Sequence, residues 1–526
     1  MAFLDNLKKN PSTGEIKLLR GGRDVVFKKV PDRFSLRPKH GTVRTADALE
    51  ALCGPLEVRI KHIESLRLAH MDVFEVDDRT KLDNSMKILR SSPQVDVVSH
   101  IYSIGQNMGS DVVPTGIMTI QFQPTAKAAE KERVFEEFGL DLLEDLDFLP
   151  EGHLAKTSKR TQMNPLKIAL ELQERKEIKS AEPDIAFKVD FLRLPSNQQF
   201  RDQWYLKNDG DRLCSLAGAD VKAEEAWNIT MGSRDIVICF IDDDFDLGHP
   251  QLDIPGKIVA PKDFSGKAFS SDSNLNLSSH GTACAGLALA EEANIGIVGL
   301  AHMCALMPIR IPIDITDNSF VAMFRYAMSQ NADVICCCWK ARSEYFPLST
   351  AMNAIIRKVA KEGRQNKRGC AVLFAAGNDS SPLDGVKDNI LWLNGFAVHP
   401  DVIAVGGCNS RDGQCSYSNF GAELAIVAPS GGGANSRSVI TIDNRNGMAL
   451  NLQFDGTSGG TSIASGLAAL IQSAKPELCS SEIKKIMMET ADKIDEHNGQ
   501  YVDGHSPIYG HGRINAYKAL KKITES

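Results

Sequence analysis

Phe454-Asp-Gly-Thr-Ser458-Gly-Gly-Thr-Ser462-Ile-Ala-Ser-Gly466-Leu-Ala-Ala-Leu-Ile471 lies near the C-terminal end of a chain of 526 residues. A Gly-Thr-Ser stands there at the head of a run of small and aliphatic residues, and that run predicts a buried helix. The pattern sets a hydroxyl at a helix N-terminus. Free backbone N–H groups and the helix dipole favour developing negative charge at such a place. Small residues in the first turns let the helix approach a sheet closely. Gly456-Thr-Ser458 and Gly460-Thr-Ser462 both fit the short pattern, so two serines compete for the position.

A serine hydroxyl is a weak nucleophile and needs a base, a group to orient that base, and donors for the oxyanion. Candidates for all three lie upstream. Ile236-Val-Ile-Cys-Phe-Ile-Asp242 is a continuous apolar run of strand length, as expected of a buried parallel strand. It ends in Asp242-Asp243-Asp244-Phe-Asp-Leu-Gly-His249-Pro250. A carboxylate at the C-terminal end of a parallel strand sits where α/β folds build sites. His280-Gly-Thr-Ala-Cys-Ala-Gly286 places a histidine at the head of another small-residue helix. Ala371-Val-Leu-Phe-Ala-Ala-Gly-Asn378 is a strand running into a turn.

These blocks, in the order Asp, His, Asn, Ser, resemble the subtilisin-like serine proteases (subtilases). Val402-Ile-Ala-Val-Gly-Gly407, Tyr417-Ser-Asn-Phe-Gly421 and Ile508-Tyr-Gly-His-Gly-Arg-Ile-Asn-Ala516 extend the match over about residues 200 to 520. They carry no chemistry in this reading and fix the register. The family has a buried glycine eight residues after its nucleophile. From Ser458 that residue is Gly466; from Ser462 it is Leu470. The resemblance therefore implies Ser458 as nucleophile, with Ser462 standing where the family has proline. It implies Asp242 as the residue that orients His280, His280 as general base, and Asn378 as oxyanion donor beside the Ser458 N–H. Asp243 resembles the proprotein-convertase branch. Asp244 departs from the usual glycine, and three adjacent carboxylates are expected to raise one another's pKa. The resemblance also implies a substrate-binding strand at Cys338, Trp339 and Lys340 and a substrate-binding loop at Ala376, Gly377 and Asp379. Lys340 replaces a glycine that lets substrate backbone approach. Asp379, at the lip of the pocket for the residue preceding the cut, implies a leaning toward Lys or Arg.

The implied fold is α/β, a doubly wound, mostly parallel sheet flanked by helices, preceded by two α+β ferredoxin-like propeptide modules. Arg33-Phe-Ser-Leu-Arg-Pro38 and Ile120-Gln-Phe-Gln-Pro124 open two similar units. Each runs through a helical stretch ending at Gly54 or Gly139 and closes with a helix and a strand, the order β-α-β-β-α-β. The expected organisation is a first propeptide-like module at 1–110 and a second, inhibitor-like module at 111–190. A linker and candidate processing region follows at 191–202, and the catalytic domain fills 203–526. Ser180-Ala-Glu-Pro-Asp-Ile185 resembles the end of subtilase propeptides, which lay their tail in the substrate groove. The chain is thus expected to be a zymogen whose N-terminal region acts as an intramolecular inhibitor.

The N-terminus lacks an apolar core of signal-peptide length, and no apolar stretch is long enough to span a membrane. Most of the twelve cysteines sit inside apolar runs, which fits reduced thiols and a cytoplasmic protein. A net charge of −7 without a basic block argues against nucleic acid. The expected partners are protein or peptide substrates, and no metal or cofactor is expected for catalysis. Subtilases often carry structural calcium, but Gln251 stands where the family has a carboxylate, and Glu291-Glu-Ala-Asn-Ile-Gly296 lacks the usual side-chain ligand. The rival expectation is an inactive subtilase-fold binding module, for which Asp244, Lys340 and the lost proline speak.

Overall fold

The computed structural model describes residues 15–39, 59–66, 70–104, 111–161, 163–191, 203–211, 214–266, 280–291, 296–312, 314–432, 435–443 and 450–525. The helix expected to end at Gly54 and most of the candidate processing region lie outside these residues. The chain forms two compact units. One comprises Met1–Lys188, Asp314–Val321 and Ala341–Ile355; the other comprises Val189–Ile313, Ala322–Lys340 and Ile356–Ser526. The first unit thus takes in two stretches of the part of the sequence read as catalytic.

In the first unit the duplication is visible strand by strand. Arg23–Pro38, Ile60–Leu66, Met71–Val76 and Val95–Ile104 pair antiparallel in the order fourth, first, third, second. Asp111–Phe122, Leu140–Asp145, Gly152–Thr157 and Ile178–Phe191 repeat that order. Two strands, Val95–Ile104 and Asp111–Phe122, join the copies into one sheet. Helix Leu82–Ser91 buries Leu82, Met86 and Leu89, an i, i+4, i+7 stripe that faces Phe34 and Phe74. Helix Pro165–Gln173 starts on an Asn164 cap with proline at its first position. Helix Ala128–Phe138 stops at Gly139, whose φ of +62° is left-handed.

A strand that the sequence did not announce, Glu15–Arg20, forms a hairpin with Arg23–Pro38. Its tip is buried. Arg20 pairs with Asp317 at 2.5 Å and donates to the carbonyls of Pro183 and Pro347. A Cβ on Gly21 would lie 2.1 Å from the Leu348 carbonyl oxygen, so this turn needs glycine. Beside it, Glu182 accepts from the N–H groups of Gly21 and Thr350, and Asp184 accepts from the N–H of Asn318. Thr350 and Asn318 lie at the starts of helices Thr350–Glu362 and Asp317–Ser329. One strand therefore supplies two carboxylates to two helix N-termini, where their charge opposes the dipole. Arg20 supplies a positive charge among these buried carboxylates, and removing one partner of a buried pair costs about 3–5 kcal/mol.

In the second unit seven strands lie in one parallel sheet. Their order is Lys262–Asp263, Ala305–Arg310, Val237–Asp242, Val334–Cys337, Ala371–Ala375, Val402–Cys408, Ile426–Pro429. The interior strands are buried along all or nearly all of their length, because helices cover both faces of such a sheet. Val237–Asp242 has Ala305–Arg310 on one side and Val334–Cys337 on the other. The strand order reverses there, at the kind of switch point where parallel sheets hold their ligands. Helix Thr457–Ala474 packs on the middle of the sheet and is buried from Thr457 through Gln472. Its glycines set that distance: a Cβ on Gly460 would lie 3.1 Å from the carbonyl oxygens of Gly406 and Ala428. Helix His280–Leu289 packs against it. There a Cβ on Gly286 would meet Ile442 at 2.5 Å, and one on Gly281 would meet the Asp244 carbonyl oxygen at 2.5 Å.

Candidate active site

Asp242 closes its strand fully buried, and His280 opens its helix fully buried. His280 Nδ1 lies 2.8 Å from Asp242 Oδ1. That oxygen also accepts from the Asp243 N–H, while Oδ2 is buried with no hydrogen-bond partner among the described residues. The Phe454 ring packs against the imidazole, 5.5 Å between centroids. Burial pulls His280 down, but the Asp242 charge, its hydrogen bond and the Asp243 charge outweigh burial and lift the imidazole to about 9. Asp242 is raised by burial, with His280 opposing. The two aspartates that follow have partners of their own. Asp243 accepts from the Gly281 N–H at the histidine helix, and Asp244 pairs with Arg310 at 2.9 Å.

Ser458 stands in the first turn of its helix, after Gly456 at φ +96°. Its hydroxyl donates to the carbonyl of Cys338 at 3.2 Å. The Ser462 hydroxyl is turned back onto its own helix and donates to the Ser458 carbonyl. Asn378 follows strand Ala371–Ala375. Its Oδ1 accepts from both the N–H and the hydroxyl of Thr457, each at 2.9 Å. With Oδ1 held on Thr457, the other edge of the carboxamide carries the NH₂.

The structure divides the residues expected to bind substrate. Cys338 offers its carbonyl to Ser458 and turns its thiol inward, 3.6 Å from the Cys336 sulfur. The Trp339 side chain belongs to the core: its indole donates to the Ile241 carbonyl and packs against Phe374 and Phe396. The Ala376 carbonyl is held by the amides of Asn394 and Asn419. Gly377, at φ +110°, donates its N–H to the Thr457 hydroxyl. Asp379 pairs with Lys340 at 3.4 Å and accepts from the Asn419 amide at 3.2 Å. The Asp379 carboxylate therefore has a lysine of the same chain as its ion-pair partner.

Three residues that the sequence reading left without a role brace this site. Asn419 Oδ1 accepts from the N–H groups of Asp379 and Ser381, which ties down the loop after Asn378. The Tyr417 hydroxyl accepts from the Gly456 N–H, and the Ser430 hydroxyl donates to the Gly456 carbonyl. The signal was present in Tyr417-Ser-Asn419, but a polar residue in a loop does not reveal its partner.

Residues 233–512 match the model of the subtilase family. The chain belongs to the subtilase family. This subtilase is 29% identical to a calcium-dependent protease of a Nostoc species, over 84% of this chain and 68% of that protein. It is 27% identical to a thermophilic serine proteinase of a Bacillus species, over 77% of this chain and 87% of the relative. Among solved structures, the epidermin leader peptide processing serine protease of Staphylococcus aureus superposes with a TM-score of 0.55. At 18% identity it covers 77% of this chain and 98% of that one, and the likeness is one of fold. Family membership makes this subtilase a serine-type endopeptidase, a hydrolase.

Among the described residues, those at the place where the family's calcium is expected do not fit a cation. The buried Gln251 side chain donates from Nε2 to the carbonyls of Glu291 and Ile297, and its Oε1 accepts from the Ile297 N–H. Carbonyls that would face a cation here face an amide. The nearby Glu291 carboxylate is paired with Arg234 and Lys257. Gln251→Ala should leave these buried backbone groups unsatisfied, at about 1–3 kcal/mol each. The melting temperature should fall by roughly 5 °C or more, by the same amount in excess calcium and in chelator. Restoration by calcium would show that a cation holds the loop.

Proposed function

We propose that this subtilase is made as a zymogen and cuts peptide bonds through Ser458, His280 and Asp242. The observation that carries this reading is the buried 2.8 Å hydrogen bond between His280 and Asp242, with Ser458 at the head of the neighbouring helix. In this mechanism the neutral imidazole takes the Ser458 proton as the oxygen attacks the substrate carbonyl. Asp242 keeps the Nδ1 proton in place, so that Nε2 is free to accept, and stabilises the imidazolium. The carbonyl oxygen gains charge and is received by Asn378 Nδ2 and the Ser458 N–H. His280 returns the proton to the leaving amine, and water then releases the acyl group from Ser458 by the same steps. Asn378→Ala should lower kcat about 10²–10³-fold with little change in KM. A loss under threefold would remove Asn378 from the site.

The zymogen reading is supported by the carboxylates of Glu182 and Asp184, which sit on two helix N-termini in the manner of a docked pro-region. A fragment spanning residues 111–191, added to the processed protease, should inhibit hydrolysis at micromolar concentration. No inhibition would reduce that segment to a scaffold. The intact mass of the purified chain tests the zymogen directly: a cut between residues 191 and 203 should appear, and Ser458→Ala should stay whole.

All eleven described cysteines are free thiols, which supports action in a reducing compartment such as the cytoplasm. Among the described residues no helix is long and apolar enough to cross a membrane. Structural calcium, which the name of the Nostoc relative allows, would bind elsewhere than beside Gln251.

A further inference from the structure

The geometry points to Lys340 as the residue that sets which side chain the protease accepts immediately before the cut bond, restricting it to small, uncharged residues such as Gly, Ala and Ser. This rests on the peptidase reading above and on contacts within the second unit. The acyl carbon of a substrate must reach Ser458 Oγ, with its oxygen turned to Asn378. The side chain of that residue leaves the backbone one bond away. It must therefore enter beside the two segments that adjoin the nucleophile. One is Cys338–Lys340, whose first carbonyl accepts from Ser458 Oγ. The other is Ala376–Asp379, which carries Asn378.

Lys340 already bridges those segments. Its ammonium reaches Asp379 on the far segment. Its stem lies on Gly377, where an added Cβ would come within 3.1 Å of Lys340 Cδ. Gly377 leaves room for that stem and for Asn419, 2.5 Å from the same Cβ position. A large side chain could enter only by displacing the lysine stem and breaking its ion pair. A basic one would meet the Lys340 ammonium before it met Asp379.

The test is a set of peptides that differ only before the cut, at Ala, Leu, Phe or Lys, with kcat/KM measured for the processed protein. The native protein should favour Ala at least tenfold over the other three. Lys340→Gly should raise the Phe/Ala and Leu/Ala ratios by about 10–100-fold, the usual worth of an opened apolar pocket. Lys340→Met, which keeps bulk and drops charge, should leave those two ratios low while raising Lys/Ala. Rates of fluorophosphonate labelling at Ser458 show that each variant is folded. Native cleavage after Phe or Lys as fast as after Ala would overturn the inference, as would unchanged ratios in a labelled Lys340→Gly protein. Absence of Ser458 labelling in the native protein would instead overturn the peptidase reading, and this inference with it.

Discussion

Ser458→Ala is expected to abolish peptide hydrolysis, a fall of about 10⁶-fold in kcat, whereas Ser462→Ala is expected to keep substantial activity. The two serines are one turn apart on one helix and equally buried, so burial does not separate them. Their hydroxyl contacts do. Ser462 Oγ is spent on the carbonyl of its own helix four residues back, as serines inside helices commonly are. Ser458 has no preceding turn to bond, and its hydroxyl is directed out of the helix toward the Cys338 carbonyl. It also sits where helix N–H groups are unpaired. Steady-state hydrolysis by the two single variants decides the matter. An active Ser458→Ala beside a dead Ser462→Ala would move the nucleophile by one turn and with it the whole register.

Asp242→Asn should lower kcat about 10⁴-fold and move the pH profile. In the native chain His280 is held at about 9, because Asp242, its hydrogen bond and Asp243 outweigh burial. A general base works only when neutral, so kcat/KM should rise about tenfold per pH unit up to that value. The sign for stability is the reverse. A raised imidazole pKa means that the His280–Asp242 pair stabilises the fold fully below about 6.5 and loses that contribution as pH rises through about 9. An asparagine at 242 removes the charge that raises His280, and its NH₂ favours the imidazole tautomer whose Nε2 carries the proton. The residual activity should then level off at a lower pH. A native profile already flat at pH 7, or an Asp242→Asn profile with an unmoved midpoint, would contradict this account of the pair.

What the sequence made legible follows from where the information sits. The sheet of the second unit is written as unbroken apolar runs such as Ile236–Ile241 and Ala371–Ala375, and those runs point to buried parallel strands. The small residues of the Ser458 and His280 helices mark close packing, and the glycines that enforce it sit where the motifs put them. The second copy of the β-α-β-β-α-β unit carries turn and cap signals of its own, including Gly139 and Asn164.

The features that local pattern does not supply depend on pairs far apart in the chain. Local pattern cannot say that Arg310 answers Asp244, or that Lys340 answers Asp379. Nor can it say that Arg20, at the tip of an unannounced hairpin, meets Asp317 across 297 residues of sequence. The motif places Trp339 on the expected substrate-binding strand but does not say where its side chain goes. In a strand, successive side chains face opposite ways, and this one faces the core beside Phe374. Gln251 was read as a missing ligand. The structure gives it a positive role, since a carboxamide can donate to carbonyls that a cation would otherwise gather.

The central claim is that His280 and Asp242 activate Ser458. Its most direct test is to treat the processed protein with a tagged fluorophosphonate and map the adduct by tandem mass spectrometry. A phosphonyl group on Ser458 is expected, absent in Ser458→Ala and slowed by orders of magnitude in His280→Ala. A folded protein that takes up no label at Ser458, or that carries it on Ser462, would contradict the claim.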